Sequence, residues 1–194
     1  MTKVQSYYII AGWAEGSKLS FGMGRELEKR GLVKAKKVGQ ANIIIGHSAG
    51  CYMLPHKVSA QVIFLIGAPY WPGRSIVRRV FNNVVTDAPA QIKSWDSWRF
   101  LHNRLWNTAY IMARPFRTIK AWRSLRRMLV GLHDDSKIII IRSSQDSFCS
   151  PDVRLLADEC ENVSFREVEG LHEDCWHNPG LYVDLIIKEL LLPR

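Results

Sequence analysis

Long apolar runs are missing from this 194-residue chain. Runs such as Ile43 to Ile45 and Ile138 to Ile141 are far short of the ~20 residues a membrane-spanning helix requires. A secretory leader is not legible either. Lys3 could open one, but the stretch Tyr7 to Gly12 is too short for a leader's apolar region and reads as a strand. Cysteine is scarce: Cys51, Cys149, Cys160 and Cys175 form no CxxC pair and no metal-ligand spacing with histidine, which suits reduced thiols in the cytosol. Internal repeats and low-complexity tracts are absent, as is any nucleic-acid-binding module pattern. The expectation is a soluble, cytoplasmic protein that needs no metal or organic cofactor.

What is present excludes disorder. Hydrophobic residues make up 47% of the chain and include seven tryptophans, enough to build one domain with a core. The net charge of +9 is unevenly spread. Residues 1–73 carry 9 basic and 3 acidic side chains, residues 74–130 carry 12 and 2, and residues 131–194 carry 6 and 13. The basicity is therefore local to the middle of the chain.

Short β-branched runs alternate with helix-like stretches. Tyr7–Gly12, Ala41–Gly46, Gln61–Gly67 and Lys137–Arg142 read as strands, near-continuously apolar as strands covered on both faces are. Val163–Val168 only alternates, as an edge strand can. Ser17–Arg30 has helical spacing at Leu19, Met23 and Leu27 and stops at Gly31. A closing helix takes Asn178 as N-cap and Pro179 as first residue, with Leu181, Leu185, Ile186 and Leu190 on one face. This alternation predicts an α/β fold with a mostly parallel sheet of about five to six strands and helices on both faces. The whole chain, residues 1–194, reads as one domain, with a helical basic cap inserted at about residues 70–132.

The strongest motif is Gly46-His47-Ser48-Ala49-Gly50. It follows a buried-type strand and leads into Cys51-Tyr52-Met53-Leu54, which reads as a first helical turn. A serine on such a strained strand-to-helix turn exposes its hydroxyl, and side chains at positions 46 and 50 would collide with neighbouring backbone. The amide of Ala49 is then placed to bind an oxyanion.

Strand plus GHSAG resembles the nucleophile elbow of the α/β-hydrolase superfamily, in particular its small, compact, esterase-like members. The resemblance covers residues 7–67 and 137–192 and not the middle. It implies the chain order serine, acid, histidine. Ser143 to Pro151 resembles the acid loop and offers Asp146, with Asp87 and Asp152 as rival acids; Asp152 could equally cap the helix that starts there. Glu169-Gly170-Leu171-His172 resembles the histidine loop and offers His172, whereas His177, beside the Asn178 cap, suits a structural role. The second oxyanion amide should come from the loop after the first strand, where Trp13 is the candidate. The family commonly has His-Gly there; this chain has Ala11-Gly12. Gly12 and His47 complete the expected site as substrate-binding positions, with His47 also expected to pack or hydrogen bond locally.

These residues imply a serine hydrolase that cleaves carboxylic esters of a small acyl substrate, or the same triad acting as thioesterase, amidase or acyltransferase. A non-catalytic protein that kept the fold and binds an acidic partner is the alternative of another class. The insertion interleaves Trp95, Trp98, Trp106 and Trp122 with seven arginines between Arg99 and Arg127. It reads first as a cap lining an acyl pocket, next as a solvated basic face, then as a peripheral membrane contact, and last as a polyanion-binding surface.

Overall fold

The computed structural model describes residues 5–12, 20–55, 59–70, 109, 125, 128–129, 136–146, 149–172 and 174–192, the side chains of 20 and 21 excepted. Trp13, Asp87 and nearly all of the 70–132 insertion lie outside them.

Six strands form one sheet. They are β1 (Ser6–Ile10), β2 (Val33–Lys34), β3 (Ile43–His47), β4 (Val62–Ile66), β5 (Lys137–Ser143) and β6 (Val163–Val168). Their order is β2-β1-β3-β4-β5-β6 and every pair is parallel. The continuous apolar runs of β3, β4 and β5 occupy the middle, and the alternating β6 lies at one edge, as the pattern of side chains requires. The two-residue β2 at the other edge was not legible. Its Val33 is exposed, so neither burial nor a β-branched run marks it, and it pairs with β1 through backbone alone.

Successive side chains of a strand point to opposite faces, and the isoleucines divide accordingly. Ile44, Ile63, Leu65, Ile138 and Ile140 face one core cluster, which is closed by Val153 and Leu156 of α2 (Val153–Asp158). Leu125 and Leu129, both helical, are buried in the same cluster. Ile43, Ile45, Phe64, Ile66, Ile139 and Ile141 face the other cluster. There they meet Met23 and Leu27 of α1 (Ser20–Lys29), Cys175 and Trp176 of α3 (Asp174–His177), and Tyr182, Val183 and Ile186 of α4 (Pro179–Leu191). Complete burial of one such aliphatic side chain is worth about 1.5–3 kcal/mol. None of the described helices is long and apolar enough to cross a membrane.

Two local expectations need correction. Ser48–Tyr52 is a 3-10 turn that begins at the serine itself, not a helix starting at Cys51. Pro55 disfavours helical backbone at the residue before it, so the turn has no room to lengthen into an α-helix. In α4 the buried face is offset from the expected one: Tyr182, Val183, Ile186 and Glu189 are buried while Leu181 is exposed. Polar partners cause the offset. The Tyr182 hydroxyl shares a 2.7 Å hydrogen bond with Ser143 Oγ, and Glu189 meets Arg166 Nε at 2.6 Å and Lys137 Nζ at 3.3 Å. Asn178 does precede the helix and Pro179 does open it, but the Asn178 side chain makes no capping hydrogen bond.

Candidate active site

The candidate residues lie on the loops at the carboxyl ends of β3, β5 and β6, the edge where parallel sheets place their ligands. Ser48 directly follows β3. It is the one non-glycine residue at positive φ, 51°, among those described. Holding a side chain in that conformation costs about 1–3 kcal/mol, and the surrounding packing enforces it. A Cβ on Gly50 would sit 2.1 Å from the Ile10 carbonyl oxygen, and one on Gly46 would reach the Cys51 Cα at 3.0 Å. The elbow is thus pressed against the end of β1 and the Ala11 carbonyl. Ser48 keeps partial exposure while His47 and Ala49 on either side are buried.

Asp146 stands three residues beyond β5 and His172 four beyond β6. The two meet: Asp146 Oδ2 lies 2.7 Å from His172 Nδ1, with both side chains nearly sealed from solvent. The second carboxylate oxygen, Oδ1, accepts the Cys149 amide at 3.1 Å. A carboxylate only accepts, so Nδ1 of the imidazole carries a proton and donates it to Asp146. Asp152, one of the rival acids, is engaged elsewhere: its Oδ2 accepts from Ser150 Oγ at 2.9 Å, and it makes no side-chain cap to α2. His177 is exposed at the end of α3.

The supporting contacts are dense. Arg142, buried at the end of β5, donates Nε to the Cys149 carbonyl at 2.8 Å and Nη2 to the Ser144 carbonyl at 3.1 Å, gripping the acid loop on both sides of Asp146. Its Nη1 is paired with Glu167 Oε2 of β6 at 2.6 Å. Backbone bonds from Ser144 to Val168 and from Gln145 to Gly170 tie the acid loop to the histidine loop. Asp174 Oδ2 accepts the Leu171 amide at 2.8 Å, one residue before His172. Cys149 is fully enclosed, and burial above all, then the charge of Asp146, pushes its thiol well above the usual cysteine range. The thiol is thereby kept in its unreactive protonated form.

Sequence reasoning missed Gly67. It follows β4 with φ of +56°, and a Cβ there would lie 3.0 Å from His172 Cε1 and Nδ1 and 3.1 Å from Asp146 Oδ2. A glycine closing an apolar strand between the serine strand and the acid strand was the available signal. His47, expected to pack or hydrogen bond within the motif as well as to sit at the substrate site, is fully buried, and its Nε2 reaches the carbonyl oxygen of His172 at 3.0 Å. Gly12 is buried beside the elbow. Trp13, the candidate second oxyanion donor, and Asp87 lie outside the described residues.

No protein-family model and no curated protein sequence matches this chain. Solved structures do. A hydrolase from Oleispira antarctica superposes with a TM-score of 0.66 at 16% identity, over 98% of this chain and 92% of that one. The enol-lactonase from Burkholderia xenovorans LB400 gives 0.60 at 14% identity, over 98% and 92%. The 1H-3-hydroxy-4-oxoquinoline 2,4-dioxygenase gives 0.60 at 15% identity, over 97% and 92%. The likeness shows that the chain has the α/β-hydrolase fold. That fold carries a lactonase and a dioxygenase alike, so the chemistry must be argued from the site.

Proposed function

We propose that this chain is a serine hydrolase that cleaves carboxylic esters of a small acyl substrate through an acyl-enzyme on Ser48. The observation that carries the reading is the 2.7 Å Asp146–His172 pair, carried at the same carboxyl edge of the parallel sheet as a serine held at φ 51°. Nε2 of His172 takes the Ser48 proton as Oγ attacks the acyl carbonyl carbon. Asp146 holds the ring's orientation and stabilises the imidazolium that forms. The amide of Ala49 and an amide of the loop after β1, with Trp13 as the sequence candidate, bind the developing oxyanion. Collapse of the tetrahedral adduct breaks the bond to the alcohol oxygen, which receives the proton from His172. Water, deprotonated by the same nitrogen, then attacks the acyl carbon and releases the acid, returning the proton to Ser48. The thiols, three of them buried, suit a cytoplasmic site of action.

Labelling with a fluorophosphonate probe tests this directly, because the probe reports an activated serine without a known substrate. The wild type should label, and folded Ser48→Ala and His172→Ala variants should not. Hydrolysis of p-nitrophenyl acetate should fall by about 10³-fold or more in both. Undiminished ester hydrolysis by folded Ser48→Ala would sink the proposal. A labelled serine that turns over thioesters or amides faster than esters would keep the triad and move the substrate class.

A further inference from the structure

His47 joins the nucleophile to the base. Its ring is fully buried, and Nε2 sits 3.0 Å from the main-chain oxygen of His172. A carbonyl oxygen only accepts, so that nitrogen carries a proton and donates. The His47 ring also packs on the His172 ring at 4.9 Å between centroids, tilted by 42°, and meets the Trp176 ring edge-on at 4.8 Å. The residue that makes these contacts is the one immediately before Ser48, and consecutive Cα atoms are about 3.8 Å apart. The path from the nucleophile's backbone to the base's backbone is therefore one peptide bond, the His47 side chain and one hydrogen bond. The elbow end of that path cannot drift, because Gly46 and Gly50 lock it against Cys51 and the end of β1.

From this geometry we infer that His47 is a positioning residue: its Nε2–H, given to the His172 carbonyl, sets where the His172 ring stands relative to Ser48. Three contacts then fix the base from three directions. Asp146 holds its Nδ1, Asp174 holds the amide of the preceding Leu171, and His47 holds its carbonyl. Of these, the His47 contact alone refers the base to the nucleophile's own strand. Packing against Trp176 of α3 keeps the His47 ring at the angle the bond needs.

The inference rests on the hydrolase reading for its kinetic consequence but not for its geometry, so the test has two arms. In the kinetic arm, His47→Phe keeps a ring and removes the donor, while His47→Gln keeps a terminal N–H of similar reach. His47→Phe should lower kcat on p-nitrophenyl acetate by about ten- to a hundredfold with KM little changed, the scale expected of a misplaced catalytic group. His47→Gln should recover most of that loss. Equal losses in both variants, or a full wild-type kcat in His47→Phe, overturn the role. The second arm uses nitrogen NMR on the unmutated protein and stands even if a variant fails to fold. The His47 ring should be protonated at Nε2, and the His172 Nδ1 proton should show the strong deshielding of a carboxylate-bonded imidazole. An unprotonated His47 Nε2 overturns the inference outright. A folded wild type with neither labelling nor ester turnover but with both NMR features intact overturns the hydrolase reading and upholds the His47 contact.

Discussion

Gly67 leaves no room for a side chain on the face where β4 ends. Its backbone is in the left-handed region, and a methyl group would press on His172 and Asp146 together. Gly67→Ala should lose about 1–2 kcal/mol from the backbone conformation alone. To relieve the contact, the Asp146–His172 pair must also shift by a few tenths of an ångström, so ester turnover should fall by about tenfold or more. Urea denaturation and initial rates check the two parts separately. Full activity with reduced stability would mean that the pair yields without cost to its alignment. At this scale much was legible. The glycines flanking Ser48 and the positions of Asp146 and His172 follow from strand ends and motif order. Gly67 and His47 were not, because what they do depends on contacts across 79 and 125 positions of sequence.

Elements matter here through the loops they hold. Arg142 ends β5 and reaches both sides of the acid loop, so β5 and the loop behave as one piece. Replacing it by methionine keeps much of the volume and strips the buried Cys149 carbonyl and the half-buried Ser144 carbonyl of their donor. Such unsatisfied groups cost about 1–3 kcal/mol each. Glu167, its partner, is about half exposed and returns to water, so the lost ion pair adds little. Arg142→Met should therefore destabilise by about 2–4 kcal/mol in chemical denaturation and lower turnover through Asp146. Unchanged stability would show the loop to be held by its backbone bonds alone. Continuous apolar runs announced β3, β4 and β5, because strands buried on both faces have no alternation to lose. The short β2 and the 3-10 turn at Ser48 carry no such period. Nor does amphipathic spacing foresee that Tyr182 and Glu189 would turn inward toward Ser143 and Arg166.

Across the whole molecule the two faces of the sheet share a property that composition does not reveal: Tyr7 and Tyr182 on one face and Tyr52 on the other all have hydroxyls held in the protonated form. Charge behaves similarly. In the acidic C-terminal third, Glu167, Asp184 and Glu189 pair with Arg142, Arg30, Arg166 and Lys137 of the sheet and of the turn after α1. On one face Tyr7 hydrogen bonds Gly24 and Glu28, and burial first, then the Glu28 charge, holds its phenol far above the usual value of 10.0. Tyr182 on the same face is likewise raised, chiefly by burial. On the other face Tyr52 donates to the Pro69 carbonyl, and burial keeps its phenol protonated as well. A folded-state value above the unfolded one means that the folded chain holds protons the unfolded chain releases. Stability from these groups is then fully present below about pH 10 and is lost as pH rises beyond it. The urea midpoint should stay level through mildly alkaline buffers, where phenols are concerned, and fall above pH 10. Tyr7→Phe should lower stability at neutral pH by about 1 kcal/mol through the lost hydroxyl contacts. The same variant should lose less of its remaining stability between pH 10 and pH 11 than the wild type does. A Tyr7→Phe curve parallel to the wild type over that interval would show that Tyr7 ionises as readily folded as unfolded, with its burial undone by local opening near α1.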